Sequence, residues 1–100
     1  GIEIAIRAQR ISKPKSYGTL YWQFNDAWPA ISWSSIDYFG RWKPLQFIAK
    51  NLYKDVILFF HPHTGKFVAI NDKLVNIKAN YLIQVMLFNG TILFEDSGNL

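Results

Sequence analysis

Apolar residues recur at helical spacing in the middle of the chain. In GRWKPLQFIAKNLYKD, residues 40–55, Leu45, Ile48 and Leu52 follow one another at intervals of three and four residues. This spacing places them on one face of a helix. Pro44 suits the first helical position, because its missing N–H would have no partner there anyway. The pattern therefore predicts a helix that begins at Pro44.

Short apolar runs dominate the second half of the chain. They are VILFF, KFVAIN, YLIQVMLF and TILFE, and turn signals separate them at His63-Thr64-Gly65, Asn71-Asp72 and Asn89-Gly90. Asn-Gly between two apolar runs is the strongest short hairpin signal. These runs predict at least four antiparallel strands after Asp55.

The first half is less regular. Ile2, Ile4 and Ile6 alternate as in a strand, whereas Ile4, Ala8 and Ile11 fit a helical stripe. The good helix formers at residues 7–10 favour a helix over residues 2–12. TLYWQF, residues 19–24, is β-branched and aromatic and predicts a buried strand. Residues 26–40 are rich in turn formers and predict a long ordered loop.

Composition limits the classes of protein that fit. With 100 residues, half of them hydrophobic, and 18% charged, the chain can bury a core and holds one small domain or the adjoining edges of two. The net charge is +4, but the basic residues form no run, so we expect a solvated surface and no nucleic-acid partner. No cysteine is present, which excludes disulfides and thiolate zinc sites. No apolar stretch reaches the roughly 20 residues of a membrane span.

The beginning of the chain, GIEIAIRAQR, has neither an initiator methionine nor the pattern of a signal peptide. It starts inside a patterned segment. We therefore expect a fragment or an excised domain, with any targeting signal outside it.

Groups for acid–base or metal chemistry are scarce. Glu3 and Glu95 are the only glutamates, and most aspartates lie near turns, where capping explains them. Asp26 is the exception, because it follows the ring-rich strand at its carboxyl end, where α/β sheets and barrels place their sites. His61-Pro62-His63 offers two metal ligands at most, so no metal site and no cofactor are expected. Asn89-Gly90-Thr91 matches a glycosylation sequon, but its turn role already explains it.

GTLYWQFNDAWPAISW, residues 18–33, holds three tryptophans among amide and carboxylate side chains. Its rings could form a core, since each buries about 150–250 Å². They could also form a sugar site, because sugars have apolar C–H faces and a rim of hydroxyls that amides bind. Single-stranded RNA would require interleaved basic residues, and residues 16–40 contain none. From composition alone, core and sugar surface remain open.

The longer stretch GTLYWQFNDAWPAISWSSIDYFGRWKPLQFIAKNLY resembles the end of the catalytic barrel in family 2 glycoside hydrolases of the β-mannosidase type. The resemblance covers about residues 17–54. It implies that residues 1–54 are the C-terminal part of a (β/α)8 TIM barrel, its last strand with the flanking helices. Residues 55–100 would then be antiparallel strands of an Ig-like β-sandwich.

The resemblance also implies an activity, the retaining hydrolysis of terminal non-reducing β-D-mannose from β-mannosides or manno-oligosaccharides. In this family both catalytic groups are glutamates on earlier barrel strands, so the parent is expected to be an enzyme and this chain to be inactive alone. No catalytic residue is assigned here. Substrate-binding roles fall on Trp22 as the platform beneath the sugar, and on Asn25, Asp26 and Trp28 as the wall of the site or as residues that order the loop.

Further expectations follow from the same resemblance. Trp33, Asp37 and Trp42 are expected to fix the long loop against the last helix, and Gln23 and Phe24 to make no ligand contact. A cut barrel would expose apolar surface, so the chain should self-associate or pair its strands differently. The compartment stays open among periplasmic, secreted and lysosomal. A stand-alone carbohydrate-binding module and a purely structural domain remain as alternatives.

Overall fold

The computed structural model describes all 100 residues, which form two compact units, Gly1–Ile70 and Asn71–Leu100. The regular elements, in chain order, are α1 (Ile2–Ile11), α2 (Pro44–Leu52), β1 (Val56–His61), β2 (Lys66–Asn71), β3 (Asn80–Met86) and β4 (Ile92–Asn99). The chain is thus a small α+β protein with two helices and two antiparallel hairpins. Neither helix is long and apolar enough to cross a membrane.

The first residues form a helix, as predicted, but the predicted stripe is not its buried face, because Ile4 and Ala8 are exposed. Ile6 is buried in the core, and Arg10, one turn later on the same face, is buried as well. The Arg10 guanidinium donates to the backbone carbonyls of Leu52, by a short hydrogen bond, and of Lys54, at 2.9 Å. These carbonyls lie at the C-terminal end of α2, where helical partners are missing. Arg10 therefore joins α1 to the end of α2.

Helix α2 begins where the sequence predicts, with Pro44 as its first residue. The hydrophobic core cluster of the first unit takes one buried apolar side chain from each of its four elements, namely Ile6, Leu52, Phe59 and Ile70. This explains why β1 and β2 lie in the same compact unit as the helices. The domain boundary that we expect after residue 54 stays a prediction.

The predicted strands of the second half are confirmed. β1 and β2 pair in a two-stranded sheet, and their four-residue connection requires antiparallel strands. Gly65 in that turn has a φ of 64°, which glycine adopts readily. β3 and β4 pair antiparallel in the second unit, with Asn80 opposite Asn99 and an irregularity between Val85 and Met86.

The strand predicted at residues 19–24 is not formed. A strand requires a continuous ladder with a neighbour, and residues 19–24 belong to no sheet; only their last two carbonyls accept backbone hydrogen bonds, from Ser35 and Ile36. The only bridges nearby are isolated ones, between Asn25 and Ile36 and between Ile36 and Trp42. Residues 12–43 therefore form one long connection without regular elements. The (β/α)8 barrel and the Ig-like sandwich stay predictions.

Candidate functional site

The ring-rich stretch is held by hydrogen bonds from a second limb of the same loop. The Ser35 N–H donates to the Gln23 carbonyl at 3.1 Å, and the Ile36 N–H donates to the Phe24 carbonyl at 3.0 Å. The Asp26 N–H donates in return to the Ile36 carbonyl at 3.1 Å. The hydroxyl of Ser35 also donates to the Phe24 carbonyl at 2.9 Å, so the backbone at the end of the stretch, residues 23–26, is bound to this limb.

Asp26 lies at the centre of a polar cluster with Ser32, Ser34 and Lys43, and is only 7% exposed. The Ser32 hydroxyl donates a short hydrogen bond to Oδ1 of Asp26, and Nζ of Lys43 lies 3.1 Å from Oδ2. The hydrogen bond from Ser32 lowers the pKa of Asp26, and those from Ser34 and Lys43, with the lysine charge, act in the same direction against the effect of burial. The carboxylate is therefore ionised at neutral pH, and each of its two oxygens has a partner within the loop.

A second set of contacts fixes this loop to α2. The Tyr21 hydroxyl lies 3.0 Å from Oγ of Ser35 and donates to Oε1 of Gln46 at 3.2 Å. The backbone N–H of Lys43 donates to the Ser35 carbonyl at 2.9 Å. Tyr21 also packs against the hydrophobic core, so the ring-rich stretch has one buried anchor.

The tryptophan side chains of the stretch are exposed to solvent. Trp22 is 76% exposed and Trp28 is 69% exposed, so both rings are available to a partner. The peptide between Trp22 and Gln23 is cis. The Gln23 side chain donates to the Asn25 carbonyl at 2.9 Å, an internal bond that leaves the Asn25 side chain exposed. Of the two interpretations of these rings, a core is wrong for Trp22 and Trp28 within this chain.

The substrate-binding residues that we expect from the sequence thus differ in their surroundings. Trp22, Asn25 and Trp28 are exposed, whereas the carboxylate of Asp26 is occupied by its own neighbours. This arrangement favours the loop-ordering role for Asp26, and the contact roles of all four residues stay predictions. The sequence did not indicate Tyr21, Ser32, Ser34 and Lys43 as part of the site. Local patterns predict contacts within one helix or turn, and the contact of Lys43 with Asp26 joins residues that are far apart in the chain.

The end of the loop is a tight turn around Asp37. Oδ1 of Asp37 accepts hydrogen bonds from the backbone N–H groups of Phe39 and Arg41, each at 2.9 Å. Its Oδ2 accepts a hydrogen bond from Nε of Arg41 at 2.7 Å. Partial desolvation is outweighed by the backbone and side-chain hydrogen bonds of Arg41, so the pKa of Asp37 is lowered. Gly40 completes the turn with a φ of 80°.

Trp42 follows this turn and packs on α2. Its ring centroid lies 5.1 Å from that of Phe47, and Nζ of Lys50 lies 5.7 Å from its ring. Trp42 therefore fixes the loop to the helix as expected. Trp33 does not take part in such packing, because it is 77% exposed.

The two glutamates are engaged locally. Oε1 of Glu3 lies 2.5 Å from the guanidinium of Arg7, one turn away on α1. Oε2 of Glu95 on β4 accepts Nε2 of Gln84 on β3 at 2.6 Å. The rings of His61 and His63 lie 6.0 Å apart, and no group of three or more His, Cys, Asp or Glu side chains gathers anywhere in the chain.

Comparison with known proteins identifies several beta-mannosidases that resemble part of the chain. A stretch of 54 residues is 41% identical to beta-mannosidase A of Aspergillus fumigatus and covers 52% of this chain and 6% of that protein. The match to beta-mannosidase A of Aspergillus terreus is 48% identical over 44 residues, or 44% of this chain and 5% of that protein. Beta-mannosidase A of Aspergillus niger is 43% identical over 53 residues, with shares of 51% and 6%.

These matches confirm the resemblance to β-mannosidases that the sequence indicates. The chain spans only about 6% of the length of the curated relatives it matches. No protein-family profile matches the chain.

Proposed function

We propose that these 100 residues form part of the substrate-binding rim of a retaining β-mannosidase of glycoside hydrolase family 2. Such an enzyme hydrolyses terminal non-reducing β-D-mannose from β-mannosides and manno-oligosaccharides. One observation carries the proposal: two exposed tryptophan rings, Trp22 and Trp28, flank Asp26, whose carboxylate is held within the loop by Lys43. The relatives named beta-mannosidase A support the choice of sugar.

Each residue of the rim has a role that its surroundings support. The indole of Trp22 offers a flat apolar face on which the C–H face of a mannose ring can stack. The exposed amide of Asn25 can donate to and accept from sugar hydroxyls. Trp28 forms a wall of the site. Asp26 keeps the loop in shape through Ser32 and Lys43, since each oxygen of its buried carboxylate is bound by one of these two residues.

The groups that break the glycosidic bond are proposed to lie outside these 100 residues. Retaining glycosidases need an acid/base and a nucleophile whose carboxyl groups are about 5–5.5 Å apart. Glu3 is ion-paired with Arg7, and Glu95 is hydrogen-bonded to Gln84, so neither is assigned a catalytic role. In this proposal residues 1–54 complete a (β/α)8 barrel, and residues 55–100 belong to an Ig-like sandwich.

A fluorescence titration tests the binding role. The four tryptophans of the chain report on their surroundings, and mannobiose should change their emission in a saturable way. Glycerol, which has hydroxyls but no ring to stack, should not. Absence of any change with mannobiose would overturn the role of the rim.

An activity assay tests the assignment of catalysis. The purified chain is incubated with an aryl β-mannoside, and release of the aryl alcohol is followed. No release above the buffer control is expected. Hydrolysis that persists through purification would show that the catalytic groups are present among these residues.

The exposed rings also favour a second candidate, a carbohydrate-binding module without chemistry. Both candidates predict that mannobiose binds. They differ in the gene, because a β-mannosidase would encode two further glutamates at barrel strand ends before Gly1, and a binding module would not. Reading the coding sequence upstream of Gly1 distinguishes them.

A purely structural role and self-association of the chain are tested together by sedimentation. The first unit exposes large apolar side chains along the loop, including Leu20, Phe24 and Ile31. Such a surface favours association of copies. A compact monomer that binds mannobiose would favour the binding module over a structural piece.

A further inference from the structure

The tip of the β3–β4 hairpin carries the only Asn-x-Ser/Thr sequence in the chain, Asn89-Gly90-Thr91. Proline is absent from its middle position, as an acceptor site for N-linked glycans requires. We propose that Asn89 is a site of N-glycosylation. The inference stands on the second unit alone and is independent of the proposed mannosidase function.

The backbone of the tip is a tight three-residue loop. The Leu87 N–H donates to the Thr91 carbonyl at 2.8 Å, and the Gly90 N–H donates to the Leu87 carbonyl at 2.9 Å. Gly90 has a φ of 88°, so the loop combines a β-turn with a left-handed glycine, as in hairpins with a G1 bulge. This geometry places Asn89 at the apex of the turn, outside the strand ladder.

The Asn89 side chain is held in one orientation and keeps its amide nitrogen free. Its Oδ1 accepts the Thr91 N–H at 3.0 Å, which closes an Asx turn across the sequon. Its Nδ2 makes no hydrogen bond, and the residue is exposed. The nitrogen that a glycan would occupy is therefore the one polar atom of this side chain that has no structural role.

Space around the tip is open. A Cβ placed on Gly90 would meet no atom within 4 Å, and the neighbouring Phe88 ring is fully exposed. A bulky substituent on Asn89 thus displaces no packed side chain. The Phe88 ring offers the first sugar an apolar face, and a glycan there would cover an aromatic surface that is otherwise in water.

The reaction needs a co-reactant of a definite class, an oligosaccharide joined through N-acetylglucosamine to a lipid diphosphate. Nδ2 of Asn89 forms a bond to C1 of the N-acetylglucosamine, and the bond from C1 to the diphosphate oxygen breaks. The lipid diphosphate leaves with the electron pair of that bond. Nδ2 loses one proton, and no oxidation or reduction takes place.

Expression of the full 100-residue chain in the secretory pathway of cultured animal cells tests the proposal. The chain is given a cleavable signal peptide and a C-terminal tag with its own sequon, which reports passage through the pathway. Total cellular and secreted protein are digested with peptide N-glycosidase. The expected result is a loss of glycan mass from the peptide that contains Asn89, with Asn89 converted to aspartate in the digested sample and not in an undigested one.

Matched variants separate the site from its surroundings. Asn89→Gln and Thr91→Ala should abolish the modification of the hairpin peptide, whereas Thr91→Ser should retain it, because serine also completes a sequon. Glycan transfer is read on the peptide, so a variant that folds poorly is still scored. An unmodified Asn89 in a chain whose tag is glycosylated would overturn the proposal, as would modification that persists in Thr91→Ala.

Discussion

Nζ of Lys43 lies 3.1 Å from Oδ2 of Asp26 and 2.8 Å from Oγ of Ser34, at the point where the long loop meets α2. Lys43 is the residue that precedes the helix, and Asp26 follows the ring-rich stretch. The ion pair therefore closes a loop of residues that contains Trp28 and Trp33. Because the pair is mostly shielded from solvent, screening by salt weakens it less than an exposed pair.

The lowered pKa of Asp26 makes part of the stability depend on pH. The pKa of Asp26 is lower in the folded chain than in the unfolded chain, where it is about 3.9. Such a carboxyl contributes its full stabilisation at a pH above the unfolded pKa. The stabilisation is lost as the pH falls through the folded pKa. Asp26→Asn should therefore flatten the acid limb of stability below about pH 4. The measurement is the free energy of unfolding in urea from about pH 2 to pH 7.

Asp55→Asn is the control for this experiment, because it removes an exposed carboxyl that makes no hydrogen bond. It should leave the acid limb close to that of the unchanged chain. An equal effect of both variants would contradict the role of the Asp26 cluster.

Arg10 should contribute strongly to stability through the end of α2. Arg10→Met keeps most of the side-chain length but leaves the carbonyls of Leu52 and Lys54 without their donor. We expect a loss of about 1.5–3 kcal/mol, typical of hydrogen bonds that involve a charged group. Arg7→Met on the same helix breaks a partly exposed pair with Glu3 and a contact of the guanidinium with the Phe59 ring at 5.6 Å, but leaves no backbone carbonyl without its donor, and should cost less than about 1 kcal/mol. Equal losses in urea unfolding would contradict the assignment.

The sequence predicted those elements whose signals are local. Pro44 and the apolar spacing after it define α2, and Asn89-Gly90 defines the β3–β4 turn, because each depends on neighbours within a few residues. The strand at residues 19–24 failed as a prediction, because pairing depends on a partner segment that no local pattern reveals.

The candidate site shows the same limit. Exposed rings at Trp22 and Trp28 fit the surface interpretation drawn from composition and resemblance. The contact between Asp26 and Lys43 joins residues 17 positions apart, and only the fold brings them together. The sequence therefore indicated which residue types form the site but not which of them hold it in shape.

The core of the first unit depends on one face of α1. Ile6 is 1% exposed and packs with Leu52 and Phe59, whereas Ile4 on the same helix is 73% exposed. Ile6→Ala should cost about 2–5 kcal/mol, since it removes buried apolar atoms and leaves a cavity. Ile4→Ala makes the same chemical change on the exposed face and should stay within about 0.5 kcal/mol. A loss at Ile4 as large as that at Ile6 would indicate that α1 buries a different face in solution.

Trp22 should be the tryptophan on which mannoside binding depends most. Trp22→Ala removes the proposed stacking face, and we expect the affinity for mannobiose to fall about tenfold, which corresponds to about 1.4 kcal/mol. Trp33→Ala is the matched control, because its ring is 77% exposed against 76% for Trp22, yet it has no proposed sugar contact. Titration calorimetry measures both variants without relying on tryptophan emission. The two substitutions remove similar amounts of exposed ring surface. If mannobiose binding depended only on exposed apolar area, both variants would lose affinity to the same extent. A loss of affinity confined to Trp22→Ala supports a defined sugar platform.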